Sequence, residues 1–193
     1  LRQAAARAMN RSFNRISVDN DMSPNDTFSV MANGMSGVKI PAAGAAFEQF
    51  ADALESLCVK LAKEMVIYGE GVTKLVQIDV VNAKSEKDAD TIARGIADSQ
   101  LVKTAIFGND PNWGRVLSAA ATSGAKFDPE KARLSIDGAM VYDRGRPLET
   151  KKTIMQGKEV KILFDAAAGK ASTRRWTGDL SIDYVKINAE YTT

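Results

Sequence analysis

Residues 108–115, Gly-Asn-Asp-Pro-Asn-Trp-Gly-Arg, constrain this chain more than any other segment. Two glycines, a proline and a tryptophan sit among short polar side chains, between two apolar stretches. Asp110 followed by Pro111 reads as a helix start, with a side-chain oxygen for the first free amides and a ring already set to helical φ. The pattern predicts a strand over residues 101–107, a turn at Gly108, and a helix through Val116, Leu117 and Ala120. The amino end of such a helix carries partial positive charge and free N–H groups. It suits either a structural corner or a seat for a carboxylate or phosphate.

Elsewhere the periodicity alternates between helix and strand. Leu1, Ala5, Met9, Phe13 and Ile16 share one helical face, with Arg2, Arg7, Arg11 and Arg15 read as a solvated face. A helix that opens without a start signal predicts that polypeptide precedes Leu1. Residues 18–27 are a dense turn-forming segment, residues 28–32 a short strand or buried helix start, and residues 35–43 an exposed loop. Phe47, Phe50, Ala51, Leu54, Leu57, Cys58, Leu61 and Met65 recur at helical spacing, with Glu48, Asp52, Glu55, Lys60 and Lys63 opposite. A glycine turn at residues 69–71 feeds a strand over residues 74–80. Ser85 with Asp88 predicts a capped helix through Ile92 and Ile96. Strands are expected over residues 133–136, 139–142, 160–164 and 180–190, with Asp137-Gly138 turning the first pair into a hairpin. Mixed elements without a regular βαβ beat, no internal repeat and no linker-like stretch point to one α+β domain spanning residues 1–193.

Composition excludes several classes of function. With 193 residues and a net charge of +2, the balance is too even for nucleic acid or an anionic membrane as the main partner. No apolar run has the length of a membrane span. The single cysteine, Cys58, excludes an internal disulfide and lies in a helical apolar stripe, where a buried inert thiol is expected. The chain has no histidine, which removes Ser-His-Asp catalysis, Cys-His catalysis and His-based zinc sites. Covalent chemistry therefore needs a nucleophile activated by something else, such as a terminal amine, or supplied by another chain.

Three segments carry candidate chemistry. Residues 69–74, Gly-Glu-Gly-Val-Thr-Lys, are too short for a phosphate loop, and the lysine leads into a strand. Glycines on both sides of Glu70 let backbone approach a ligand and present a carboxylate able to pair with an ammonium; the alternative is a left-handed turn with a solvated glutamate. Asp19, Asp21, Ser23, Asn25 and Asp26 alternate oxygen ligands but lack the central glycine and closing glutamate of a calcium loop, so no metal is expected. Residues 179–193 read as a strand apolar in both phases, buried on both faces, with Asn188 requiring a partner. That asparagine either caps a neighbouring turn or contacts a ligand.

Several strings in this order resemble the β-chain of the ornithine acetyltransferase family: Ser-Phe-Asn-Arg-Ile at 12–16, residues 19–27, Ala-Asn-Gly at 32–34, residues 69–74, residues 108–115, and residues 179–193. The similarity runs from residue 1 to residue 193. It implies the layered helices and mixed β-sheet of the DmpA and ornithine acetyltransferase type, as the β-chain of a self-cleaved two-chain enzyme. The implied activity is glutamate N-acetyltransferase: ping-pong transfer of an acetyl group from N2-acetylornithine to glutamate in arginine biosynthesis. The nucleophile would be a new N-terminal threonine upstream of Leu1, so no catalytic residue is assigned within this chain. Its α-amine can act as the base, which removes the need for histidine.

The resemblance further implies Glu70, Asn188 and Thr193 as substrate-binding residues. Oxyanion-hole residues and a substrate-binding lysine would belong to an α-chain from the same precursor, with α2β2 heterotetramer assembly. No cofactor is implied; whether acetyl-CoA is a second donor depends on contacts of that companion. The expected location is cytoplasm, or mitochondrial matrix in a eukaryote. Departures from the family pattern are Asn20 for glycine, Pro24 within a usual Ser-Thr-Asn, Tyr68 for aspartate, Arg174-Arg175 for smaller residues, and Thr177-Gly178 for Gly-Cys. Alternative readings are an N-terminal-nucleophile amidohydrolase or aminopeptidase on a related scaffold, and a non-catalytic paralogue.

Overall fold

In the computed structural model of the protein, residues 1–149 and 155–191 are described. In chain order they form α1 (Arg2–Arg11), a short 3-10 turn (Phe13–Arg15), β1 (Ile16–Ser17), α2 (Ala45–Ile67), β2 (Leu75–Ala83), α3 (Glu86–Asp98), α4 (Gln100–Phe107), α5 (Trp113–Thr122), β3 (Arg133–Ile136), β4 (Ala139–Asp143), β5 (Arg146–Pro147), β6 (Glu159–Asp165), β7 (Ala171–Gly178) and α6 (Ile182–Glu190). The strands make one mixed sheet in the order β1-β7-β2-β6-β3-β4-β5. β2 runs parallel to β6 and antiparallel to β7, and β1 runs parallel to β7. The class is α+β, as the sequence predicts.

Alternation along β2 assigns the two faces of the sheet. Val76, Ile78 and Val80 point one way with Ile162 and Phe164 of β6, and Leu134 and Ile136 of β3. Ile92, Ile96, Ile106 and Val116 of α3, α4 and α5 cover them, which forms the main core. Phe127 meets Phe164 edge-on at 5.1 Å. On the opposite face Leu75 and Trp176 pack beneath Val66 of α2, with Val59 and Ile16 beside them. Ser85 caps α3 by accepting the Asp88 amide at 3.1 Å, as expected, and Asp137-Gly138 turns β3 into β4.

The basic start is not merely solvated. α1 lies on α2; α1 and its C-cap bury Ala4, Ala8 and Ser12, and α2 buries Ala51, Cys58 and Ala62 besides Val66. The buried stripe of α1 is thus Ala4 and Ala8, continued by Ser12 just past its end, and Leu1 is exposed. Arg7 reaches across to Glu48 at 2.7 Å, Glu55 at 3.0 Å and also Asp52, while Arg11 bonds Glu55 at 3.3 Å. The acidic face of α2 therefore meets α1, and Leu57, Leu61 and Met65 stay about half exposed (54%, 43%, 53%). Cys58 is buried, which raises its thiol pKa.

Four expected strands or starts differ. Residues 101–107 form α4: Ser99 caps it by accepting the Val102 amide at 3.3 Å, and Val102, Ala105 and Ile106 are its buried face. A short apolar run reads equally as strand or helix, and here the cap decides. Residues 182–190 form α6 for the same reason, with Ser181 accepting the Tyr184 amide at 3.3 Å; Ile182 and Val185 are exposed, so neither face is doubly buried. α5 begins at Asn112, whose side chain accepts the Arg115 amide at 3.1 Å, and not at Asp110. Residues 28–32 take no regular structure. β7 goes unforeseen because its arginines obscure the strand pattern, yet Arg174 pairs with Asp79 at 2.6 Å and Arg175 grips Asp90 through two 2.8 Å bonds. Burial alone would raise the Asp90 pKa, but Arg175 and Arg15 outweigh it and hold the carboxylate below its ordinary value.

Phe164 is fully buried, so Phe164→Ala in the full-length protein is expected to cost about 3–5 kcal/mol, read from its denaturation midpoint. A loss below about 1 kcal/mol would contradict this placement of the core.

Candidate functional site

The turn after α2 is shaped by its own backbone. Gly69 donates to the Val66 carbonyl at 3.1 Å, and Val72 donates back to Gly69 at 3.1 Å. Gly71 has φ +67, and a Cβ there would stand 2.3 Å from the Tyr184 backbone nitrogen. Only glycine tolerates both the left-handed backbone and that approach. The turn is thereby pressed against the first residues of α6.

Hydrogen bonds fix the same contact. Asp179, only 3% exposed, accepts the amides of Thr73 at 2.7 Å and Lys74 at 2.9 Å, and the Thr73 hydroxyl. Ser181 Oγ donates to the Gly71 carbonyl at 2.6 Å while capping α6. About two turns along that helix, Asn188 Nδ2 donates to Glu70 Oε2 at 3.0 Å and to the Tyr184 carbonyl at 3.0 Å. Two residues 118 apart in sequence thus meet at an exposed position. Thr193 lies outside the described residues.

Tyr184 belongs to the same patch, its hydroxyl donating to Asp19 Oδ2 at 3.1 Å. Its pKa is raised, first by burial, then by the bond to Asp19 and the charges of Asp19, Asp21 and Glu70. Carboxylates therefore concentrate where Asn188 offers an amide, an arrangement that favours an ammonium group over an anion. Among the described residues no group of three or more His, Cys, Asp or Glu side chains gathers as a metal site. Neither Glu70 nor Asn188 lines the open clefts along α3 and Ser123 or at the 109–113 corner.

That corner is tied to the turn through Lys74. Its ammonium donates to the Ile106 carbonyl at 3.0 Å, the Met155 carbonyl at 2.7 Å and the Asn109 side chain. Burial lowers the Lys74 pKa, with Asp179 and Asp137 opposing. The corner is hence a structural anchor for the site. Reading the sequence misses Lys74, Asp179, Ser181 and Tyr184 as positioning groups. Charged residues bordering apolar runs, as at Lys74 and Asp179, are the available signal. Asn20 has φ 72, a left-handed conformation that asparagine adopts more readily than most residues.

Gly71→Ala is expected to push α6 away from the turn. Faster amide hydrogen exchange across residues 182–190, with α3 unchanged, is the predicted result; unaltered exchange in α6 would contradict the contact.

The ArgJ family profile matches residues 1–193. A "Glutamate N-acetyltransferase" from Methanothermobacter thermautotrophicus is 44% identical over 205 residues, covering 100% of this chain and 49% of the relative. An "Arginine biosynthesis bifunctional protein ArgJ" from Caldanaerobacter subterraneus subsp. tengcongensis is 44% identical over 202 residues, covering 100% of this chain and 50% of the relative. The crystal structure of the arginine biosynthesis bifunctional protein ArgJ from Bacillus halodurans superposes with a TM-score of 0.93 at 34% identity, covering 98% of this chain and 92% of that one. The chain spans about half the length of the curated relatives it matches. Taken with the matching fold, these similarities show that the chain belongs to the ArgJ family.

Proposed function

We propose that this chain is the part of a glutamate N-acetyltransferase that holds the amine-bearing substrate, acting with an α-chain from the same precursor. The observation that carries this reading is the Asn188–Glu70 hydrogen bond of 3.0 Å in a chain matched throughout by the ArgJ family. Asn188 uses one lone pair of the carboxylate and fixes its direction, so the remaining lone pairs can accept from the ammonium of N2-acetylornithine. Thr193 supplies a hydroxyl for the carboxylate end of the substrate in this reading. The solved Bacillus halodurans chain is covered to 92% by this one, whereas a full curated relative is covered to 49%. A family chain of this size supports a two-chain enzyme, and α2β2 assembly in the cytoplasm, or in the mitochondrial matrix of a eukaryote, completes the proposal.

The chemistry follows from a terminal threonine upstream of Leu1. Its Oγ attacks the acetyl carbonyl of N2-acetylornithine while its own α-amine takes the hydroxyl proton. The C–N bond breaks, the proton passes to the leaving nitrogen, and ornithine departs from an acetyl-threonine ester. The neutral α-amine of glutamate then attacks that ester, the C–O bond breaks, and the proton returns to the threonine oxygen. Glu70 and Asn188 do no covalent work; they set the substrate's position. Holding the reacting atoms in line is itself a large share of catalysis.

The full precursor incubated with N2-acetylornithine and glutamate is expected to yield N-acetylglutamate by mass. Acetate in its place would identify a hydrolase, and no product from a preparation containing the threonine would identify a non-catalytic paralogue. Glu70→Ala is expected to lower kcat/KM for N2-acetylornithine at least about tenfold, roughly 1.4 kcal/mol. An unchanged kcat/KM would remove Glu70 from the site.

A further inference from the structure

A second buried charge stands behind the Glu70–Asn188 patch. Lys103 of α4 is only 2% exposed. Its ammonium donates to Thr177 Oγ1 at the end of β7 at 2.7 Å, and to the backbone carbonyl of Val18. Its own carbonyl accepts the Leu180 amide at 3.4 Å, just before α6. The charged groups facing it are Asp98 at the end of α3, Asp19 beside Val18, and Asp179 between β7 and α6.

Val18 and Asp19 touch both halves of the site. The Val18 side chain lies against Gly69, where an added Cβ would meet its Cγ1 at 3.1 Å. Asp19 accepts the Tyr184 hydroxyl at 3.1 Å, and the Tyr184 carbonyl accepts from Asn188. We propose that Lys103 is a positioning residue for the Glu70–Asn188 site: its ammonium pins the Val18–Asp19 segment to the end of β7, and that segment braces the Glu70 turn and α6 together. This rests on the reading of Glu70 and Asn188 as substrate-binding.

A purely structural role explains Lys103 less well. Burying an ammonium is costly, and a methionine of similar length would fill the same space without desolvating a charge. Burial pushes the Lys103 pKa down to about 8, against the opposing pull of Asp98, Asp19 and Asp179. The unfolded chain therefore binds more protons than the folded one above that pH, so this group costs stability below about pH 8 and the cost is relieved as pH rises toward the free-lysine value. What the charge provides is direction: a donor aimed at Val18 that a neutral side chain lacks.

The test uses the complete two-chain enzyme with saturating glutamate. Lys103→Met is expected to raise KM for N2-acetylornithine roughly tenfold, the scale of a lost charge-assisted hydrogen bond, with kcat within about twofold. Lys103→Arg, which keeps the charge, should recover part of that loss. In the unmodified enzyme KM should climb as pH passes about 8, a limb absent from Lys103→Met. The substrate's own side-chain ammonium keeps its proton to about pH 10.4, so it does not produce this limb. Glu70→Gln with Lys103→Met should match Glu70→Gln alone, because both act on one contact. If Glu70→Gln impairs KM while Lys103→Met does not, or if the two losses multiply, Lys103 does not act through this site. If Glu70→Gln leaves KM unchanged, the site reading itself fails and this proposal with it. The pH limb is measured on the unmodified enzyme, so its absence overturns the proposal even should Lys103→Met misfold.

Discussion

The carboxylate of Asp179 receives the amides of Thr73 and Lys74 and the Thr73 hydroxyl, at a point where almost no water reaches it. A buried carboxylate is expensive unless donors surround it, and here the donors lead into β2 while the acceptor follows β7. The bonds therefore fix where the Glu70 turn ends relative to where α6 begins. Ser181 repeats the tie two residues later by donating to Gly71 and capping the helix. Without this junction Glu70 and Asn188 would be two exposed side chains on separate connections.

The surrounding fold serves that junction with few devices. The β2–β7 pairing carries both of its strands in antiparallel register from Leu75 opposite Gly178 onward. α3, α4 and α5 close the main core on one face, and α2 with α1 covers β7 and β2 on the other. Lys74 then links the start of β2 to the 108–115 corner through Ile106 and Asn109. The corner, the turn and the last helix are one connected unit.

Much of this was legible in the sequence where a period and a cap agree. α2, α3, β2 and the β3–β4 hairpin follow from their residues, since long amphipathic runs and Asp-Gly turns leave few alternatives. The stretches at 101–107 and 180–190 read as strands but fold as helices, because short runs of mixed apolar and polar residues suit either conformation. Ser99 and Ser181 cap them as helices, and the buried face of α4 repeats at helical spacing. β7 was hidden because two successive arginines, Arg174 and Arg175, break the alternation of a strand, although Asp79 and Asp90 pair with them across the fold. Glu70 and Asn188 were identified by resemblance; that they meet depends on α6 being a helix, which alternation along the chain did not suggest.

The central claim is that this meeting point receives the substrate's ammonium. The most direct measurement is the structure of the full precursor's product with the proposed threonine nucleophile blocked and N2-acetylornithine bound. The side-chain nitrogen of the ligand is expected within about 3 Å of the Glu70 carboxylate, at charge-assisted hydrogen-bond distance, with Asn188 still touching Glu70. A ligand bound elsewhere, with the Asn188–Glu70 contact facing only water, would contradict it.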